Sequence, residues 1–472
     1  MRRLSGIVMG MLVCLSVGIA AAAGDAAVRT AVTQDQQKDL AITIYNGNLG
    51  LVKDVRELRL AVGTHEVKFM DVASQIDPTS VHLKSLTDPA GVRILEQNYE
   101  YDLLNPQKLM DKYVGKTVKL MTQDGNQIEA VLLSNNNGPI YQINGQIHLG
   151  HPGRVILPDL PEDLIPKPTL VWLLQSGVAS SQRVEASYLT SGITWKADYV
   201  VVLNETDSGG DLSGWVTIDN KSGATYPAAA LKLVAGDVNR ARPRQEMRAV
   251  LESAAKAAAA PPQFQEESFF EYHLYSLQGR TTIKNNQTKQ ISLLDAPDIP
   301  IRKELRFYGA SQYYRSQLGA PISNQKVGVF LEIANTTQNH LGVPLPKGTV
   351  RVYKAAADKS LQFIGEDTID HTPKDEKVKI KMGEAFDVVG ERTQRDWKKI
   401  AWNLYETEWD VELRNHKNEE VEVTIIEPVP GDWEVVKSSH PYSKVEAHTL
   451  QFAVKVPKDG KATVNYRVRM RW

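Results

Sequence analysis

The chain has 472 residues, with 55 Lys+Arg against 56 Asp+Glu, a formal charge of −1. So even a balance supplies no basic face for a nucleic-acid partner, and the length corresponds to about three domains at ~150 residues each. The single cysteine, Cys14, lies in an N-terminal apolar run; removal of that run would leave no thiol for catalysis, thiolate metal binding or disulfides.

Arg2 and Arg3 precede apolar residues from Ile7 to Ala23, and the run ends in Ala20-Ala21-Ala22-Ala23-Gly24-Asp25. A charged start, an apolar middle and small final residues are the layout of a secretory signal peptide. Residues 1–23 are therefore the predicted signal, cleaved near Ala23, because the peptidase accepts only short side chains beside the scissile bond. An uncleaved anchor also needs about 20 apolar residues, but the alanines favour cleavage. Val13 stands before Cys14, where a lipoprotein signal places a small residue. No later segment reaches the length of a membrane-spanning helix, so the expected product is exported, periplasmic and free of transmembrane segments.

Residues 28–104 are predicted as an N-terminal β-sandwich. Ala41–Tyr45, Val52–Leu60 and His65–Phe69 alternate apolar and polar residues, the strand period, around turns at Asn46-Gly47 and Gly63-Thr64; they predict an antiparallel meander. Asn105-Pro106 opens a short helix to Tyr113, since asparagine caps free amides and proline suits the first helical position. Five short strands follow, at 117–121, 128–133, 139–143, 146–149 and 154–157, separated by turn residues. With the helix they make residues 105–158 a small SH3/Sm-like barrel; a twisted hairpin extension fits the same spacing. Pro158, Pro161, Pro166 and Pro168 stiffen a connector, and residues 159–182 are predicted as this Pro-rich connector and a strand.

Residues 183–472 form the last region. Trp215–Asn220, Val329–Asn335 and Trp409–Asn415 each alternate, end at an asparagine and turn back. This shared habit suits immunoglobulin-like sandwiches, with Trp195, Trp215, Trp409 and Trp433 in the core. Residues 240–267 break the pattern: Arg242-Pro243-Arg244, an alanine-rich stretch and Pro261-Pro262 predict a mobile, partly helical insertion. Lys303 to Gln325 predicts a long loop or short helix. The final run, Val464 to Trp472, alternates like the last strand of an outer-membrane barrel, but a soluble sandwich strand accounts for it without the missing aromatic girdles. The fold class is all-β.

The succession Gly342-Val343-Pro344-Leu345-Pro346, Phe363-Ile364-Gly365-Glu366-Asp367, Ile369-Asp370-His371-Thr372-Pro373, Gly383-Glu384-Ala385-Phe386-Asp387-Val388 and Leu413-Arg414-Asn415-His416-Lys417 carries a resemblance. With Ser187-Tyr188-Leu189 and Ile193 to Tyr199, it resembles the C-terminal β-sandwich domain of unknown function in secreted bacterial proteins named after mucoidy inhibitor A. The resemblance covers most of the chain after the signal. It implies a sandwich and, through the name, a link to exopolysaccharide or envelope homeostasis; it assigns no reaction.

The densest ionisable cluster is Glu366, Asp367, Asp370, His371, Asp375 and Glu376. Asp367, Asp370, His371 and Glu376 are its candidate site residues: carboxylates beside a histidine suit acid–base catalysis, and carboxylates alone suit a hard cation. Solvated turn acids account for the same residues, with Asp370 and Thr372 bonding local backbone. No catalytic, cofactor or metal residue is assigned, and no cofactor is expected. His148 and His151 are too few for zinc, no phosphate loop or nucleophile elbow occurs, and Trp397 and Trp402 beside Lys398-Lys399 offer a sugar-stacking surface or rim packing. The expectation is an exported, non-catalytic envelope protein that binds an envelope protein or polysaccharide. The alternative is a metal-dependent or acid/base hydrolase using the Glu366–Glu376 loop.

Overall fold

Period-two alternation runs through most of the chain, and strands are what it folds into. A computed structural model describes residues 27–100, 105–150, 153–159, 167–236, 263–356 and 358–471. The expected signal with Cys14 and Ala23, His151, Pro161, Pro166 and residues 240–262 of the expected insertion lie outside the described residues. Among the described residues Pro106–Lys112 is the one α-helix, and the sheets are sandwich-like with no closed barrel.

Two compact units are assembled from interleaved stretches. One takes residues up to Lys38, Val55–Val72 and Leu83–Glu185; the other takes Asp39–Asp54, Ala73–His82 and the chain from Ala186 on.

In the first unit, Val28–Val32, Gly63–Phe69, Thr169–Ser176 and Val92–Glu100 form one sheet in that order. The expected meander therefore stops before Gly63–Phe69, which pairs parallel with Val28–Val32 and antiparallel with Thr169–Ser176. Buried Arg56 holds the parallel pair together: it donates to the carbonyls of Val32 (3.0 Å) and Met70 (2.7 Å) and lies 3.8 Å over the Phe69 ring. Both strand ends close on one buried cation.

The helix begins as expected, with the Asn105 side chain accepting from the Lys108 amide at 2.9 Å and Pro106 in the first turn. The five short strands form one sheet in the order Gln146–Leu149, Gln127–Ser134 reached through Ile140–Ile143, Thr117–Met121 and Arg154–Ile156. Its first and last strands do not pair with each other, so the predicted barrel is an open sheet. Asn144 and Gly145 both have positive φ, 48° and 80°, as a two-residue hairpin turn requires. Tyr113 closes the core of Val118, Leu120, Ala130, Leu132, Tyr141 and Ile143.

In the second unit, Trp195 on Ile193–Leu203 donates its indole N–H to the Val234 carbonyl of the facing sheet at 3.1 Å. Trp409 and Trp433 are core residues as well, whereas Trp215 is 38% exposed and lies on the outer face. The described end of the expected insertion is not helical: Phe264–Phe269 is a strand paired with Tyr272–Ile283, held by buried Phe264. Nor is 303–325 a single loop. Gln287–Tyr308 and Ile322–Ala334 are paired strands, joined through one short 3-10 turn at Ser311–Tyr314.

The strand Gly460–Arg471 lies between Leu404–Asn415 and Asp432–Ser438. Its Val464, Tyr466, Val468 and Met470 enter the core. On its other face Arg467 pairs with Asp396 (2.8 Å), Glu408 (2.6 Å) and Glu406 (3.3 Å), and Arg469 with Glu406 (2.7 Å) and Glu434 (2.8 Å). Those arginines belong to a carboxylate ladder of a sandwich sheet.

Candidate functional site

The three strand-ending asparagines have one job. Asn220, Asn335 and Asn415 are all buried. The Asn220 amide donates to the carbonyls of Ala224 and Lys284, and its oxygen accepts from the Ser222 amide. Asn415 donates to Glu419 and Pro457 and accepts from Lys417. Each side chain satisfies backbone groups that leave the ladder where the chain turns, which buried polar groups require.

Asn335 organises the family-like signature. Its amide donates to the carbonyls of Val343 and Pro373, both at 2.8 Å, and its oxygen accepts from Gly342 at 3.0 Å. Its backbone amide donates to the Glu376 carbonyl, and its carbonyl accepts from Asp375. Pro344 and Pro346 have no amide to donate to a ladder; their carbonyls accept from the hydroxyls of Tyr275 and Tyr199, at 2.9 and 2.8 Å. Leu345 bridges to Thr372 in both directions. Gly342 has φ +86°, and a Cβ there would meet the Thr337 amide at 2.8 Å. The signature from 342 to 376 is an anchored corner.

The four candidate residues do not converge. Asp367 accepts the amides of Thr368 (2.8 Å) and Lys381 (2.7 Å), tying the edge strand Leu361–Ile369 to Lys377–Ala401. Asp370 is 92% exposed, with Lys347 at 3.7 Å. The turn hydrogen bond expected of Asp370 belongs instead to the Thr372 hydroxyl, which donates to the Asp370 carbonyl at 2.9 Å. His371 accepts the Lys347 amide on Nδ1 at 3.1 Å. Glu376 points into solvent and uses its backbone carbonyl on Asn335. Among the described residues no three His, Cys, Asp or Glu side chains are placed to hold a metal ion.

Convergence occurs nearby, where a ladder breaks. Ile322–Ala334 alternates: Val327, Leu331 and Ile333 are buried, which turns Lys326, Gly328, Phe330 and Glu332 outward. Its neighbour Lys377–Ala401 pairs Lys381 with Phe330 and Glu384 with Gly328, then resumes with Val389 opposite Lys326. Residues 385–388 thus oppose Val327 alone, an enlarged, four-against-one bulge that leaves Phe386 89% exposed. At the centre stands Gly328. A Cβ there would come within 2.8 Å of Phe330 Cε2, so glycine is what lets the Phe330 ring lie over the strand and form a wall of the hollow.

The resulting pocket has a volume of about 320 Å3 and is lined by Tyr308, Gln325, Lys326, Gly328, Phe330, Lys381 and Glu384. Tyr308 meets Phe330 edge to face at 6.1 Å, and Arg306, neutralised by Glu304, lies 5.3 Å from the Phe330 ring centre. Glu332, further along the same outward face, is paired with Lys377 at 2.7 Å. Lys326, Lys381 and Glu384 are exposed and make no ion pair among the described residues.

Behind the pocket lies a buried polar network. Gln325 donates to the Tyr313 hydroxyl at 3.3 Å and accepts from Arg392 at 2.5 Å. Arg392 and Glu427, each 1% exposed, pair at 3.0 Å, and the guanidinium stacks 3.8 Å over Phe307. Glu427 also accepts from Tyr314, whose hydroxyl meets that of Tyr466 at 2.7 Å. Burial, and after it the Glu427 charge, holds both phenols well above their ordinary range. Arg392 Nη2 is buried without a partner. Trp402 stands elsewhere, 82% exposed at a hairpin turn, with Trp397 tilted against Tyr405.

The pocket is not among the sites expected from the sequence. Glu384 belongs to the signature, but Tyr308 falls in the stretch expected as a long loop or short helix, and Gly328 is not among the candidate residues. The signal available was a glycine between Lys326 and Phe330 on an otherwise regular strand.

No helix among the described residues is long and apolar enough to cross a membrane. No curated protein sequence matches the chain. The model of the domain of unknown function DUF4139 matches residues 184–472, which include the anchored corner and the pocket, and the chain therefore belongs to that family.

Proposed function

We propose that this is an exported, non-catalytic protein of the cell envelope that works by binding, and that the pocket beside Gly328 is its binding site. One observation carries the reading: the charged side chains of the pocket stand beside aromatic ones without ion-pair partners, while the acidic loop's polar groups are taken up by backbone, by the neighbouring cations Lys347 and Arg351, or by solvent. Small ligand sites combine an apolar wall with a few converging polar groups. Export is supported by the signal-like residues 1–23. The resemblance to the mucoidy-inhibitor proteins supports a role in exopolysaccharide or envelope homeostasis.

Two measurements test this. The mature N-terminus, read by mass spectrometry from an envelope fraction, is expected just after Ala23; an intact Met1 on a cytosolic protein contradicts export. Cys14 is the chain's single cysteine and cleavage after Ala23 removes it, so a mature Phe386→Cys or Asp370→Cys variant carries one thiol; Phe386 is exposed in the bulge beside the pocket and does not line it. Maleimide labelling in the intact envelope, compared with purified protein, is expected to be suppressed at 386 and unchanged at 370. The reverse pattern contradicts the assignment.

A further inference from the structure

We infer that the pocket takes a carboxylated sugar unit, a uronic acid within a polysaccharide chain; the inference rests on the binding reading above. Strand alternation and pairing set Lys326 and Lys381 on the same outward surface around the Gly328 hollow. Two ammonium groups against the single carboxylate of Glu384 give the pocket an excess of one positive charge. The complementary ligand is a monoanion.

The walls define the rest of it. Tyr308 and Phe330 present aromatic surface, and Arg306 is already neutralised by Glu304. The C–H face of a pyranose carries slight positive charge and packs against the negative face of an aromatic ring. Glu384, an acceptor only when ionised, suits hydroxyl donors at the ring edge while the lysines hold the carboxylate. A volume of about 320 Å3 accommodates one such ring. Exposure of Tyr308, Lys326, Lys381 and Glu384 leaves the mouth open, so a unit with neighbours on both sides can lie across it.

The buried network gives the site a firm back wall. Gln325 is held on one side by Arg392 and on the other by Tyr313, and Arg392 is held by Glu427. A wall so fixed reduces the ordering cost of binding.

The test is calorimetry of the purified mature protein with polygalacturonate, dextran, dextran sulfate and polyglutamate, each at low and moderate salt. Polygalacturonate is expected to bind and dextran not to. Lys326→Gln with Lys381→Gln is expected to weaken binding roughly tenfold, the effect of losing two partly exposed ion pairs. Tyr308→Ala is expected to weaken it at unchanged salt dependence, because the ring contributes contact and no charge. Equal binding of dextran sulfate would reduce the site to a generic polyanion surface, and equal binding of polyglutamate would make it a peptide site; either overturns the sugar assignment. Failure of polygalacturonate to bind overturns it too, while suppressed labelling at position 386 in the envelope would leave the binding reading standing.

Discussion

Residues 342–376 and residues 381–388 belong to one run of signature-like sequence, yet they use their polar groups in opposite ways. In the first stretch Thr372 and Asp367 turn hydrogen-bonding capacity onto backbone, Asn335 does the same from the strand end before it, and the prolines are served by Tyr199 and Tyr275. In the second, Lys381 and Glu384 stand in an open pocket without ion pairs. Density of charge along a sequence is therefore a poor guide to a site. What matters is whether strand pairing leaves the charges something to do.

The largest effect expected on this contrast comes from behind the pocket. Glu427→Ala leaves Arg392 buried and unpaired and should cost about 3–5 kcal/mol, seen as a lower urea midpoint. A midpoint close to wild type would mean that the pair does not support the pocket wall. Asn335→Ala comes next. It strands two carbonyls and one amide, a loss of roughly 2–4 kcal/mol, and the protein that remains folded should still bind at the pocket. Loss of binding at retained stability would erase the distinction between corner and site.

Acid provides a third test. Hydrogen bonds from Arg467 hold Asp396 and Glu408 below the usual carboxylate range, and one from Lys461 does the same for Glu412. A depressed folded value means that the unfolded chain binds more protons there. The contribution is present above the ordinary value of about 4 and is lost as pH falls through the folded values. Arg467→Met should therefore flatten the acid limb of the stability profile; an unchanged limb would show that the ladder is inert.

The smallest effect is expected at the exposed loop. Asp370→Ala should leave the melting temperature unmoved, and calcium, magnesium or zinc should leave that of the wild type unmoved as well. A cation-dependent rise abolished by Asp370→Ala would restore the loop as a metal site, since a ligand bound only to the native state stabilises it.

Much of the fold was legible because it is local. Alternation marks the strands, and Asn105-Pro106 marks the helix. Strand-ending Asn220, Asn335 and Asn415 were visible as a habit, but their partners lie at Lys284, Pro373 and Pro457, up to 64 residues away. Interleaving of the two units is likewise hidden from a reading in chain order. The pocket was hidden for the same reason: Tyr308, Lys326 and Lys381 meet only through pairing of distant strands, and a bulge in that pairing cannot be read from composition.

The central claim, that the pocket and not the acidic loop is the working site, is tested most directly by complementation of a deletion strain's envelope phenotype. Lys326→Gln with Lys381→Gln is compared with Asp370→Ala with His371→Ala, each pair first checked for wild-type melting. The loop pair is predicted to restore the phenotype and the pocket pair to fail. Rescue by the pocket pair with failure of the loop pair would contradict the account.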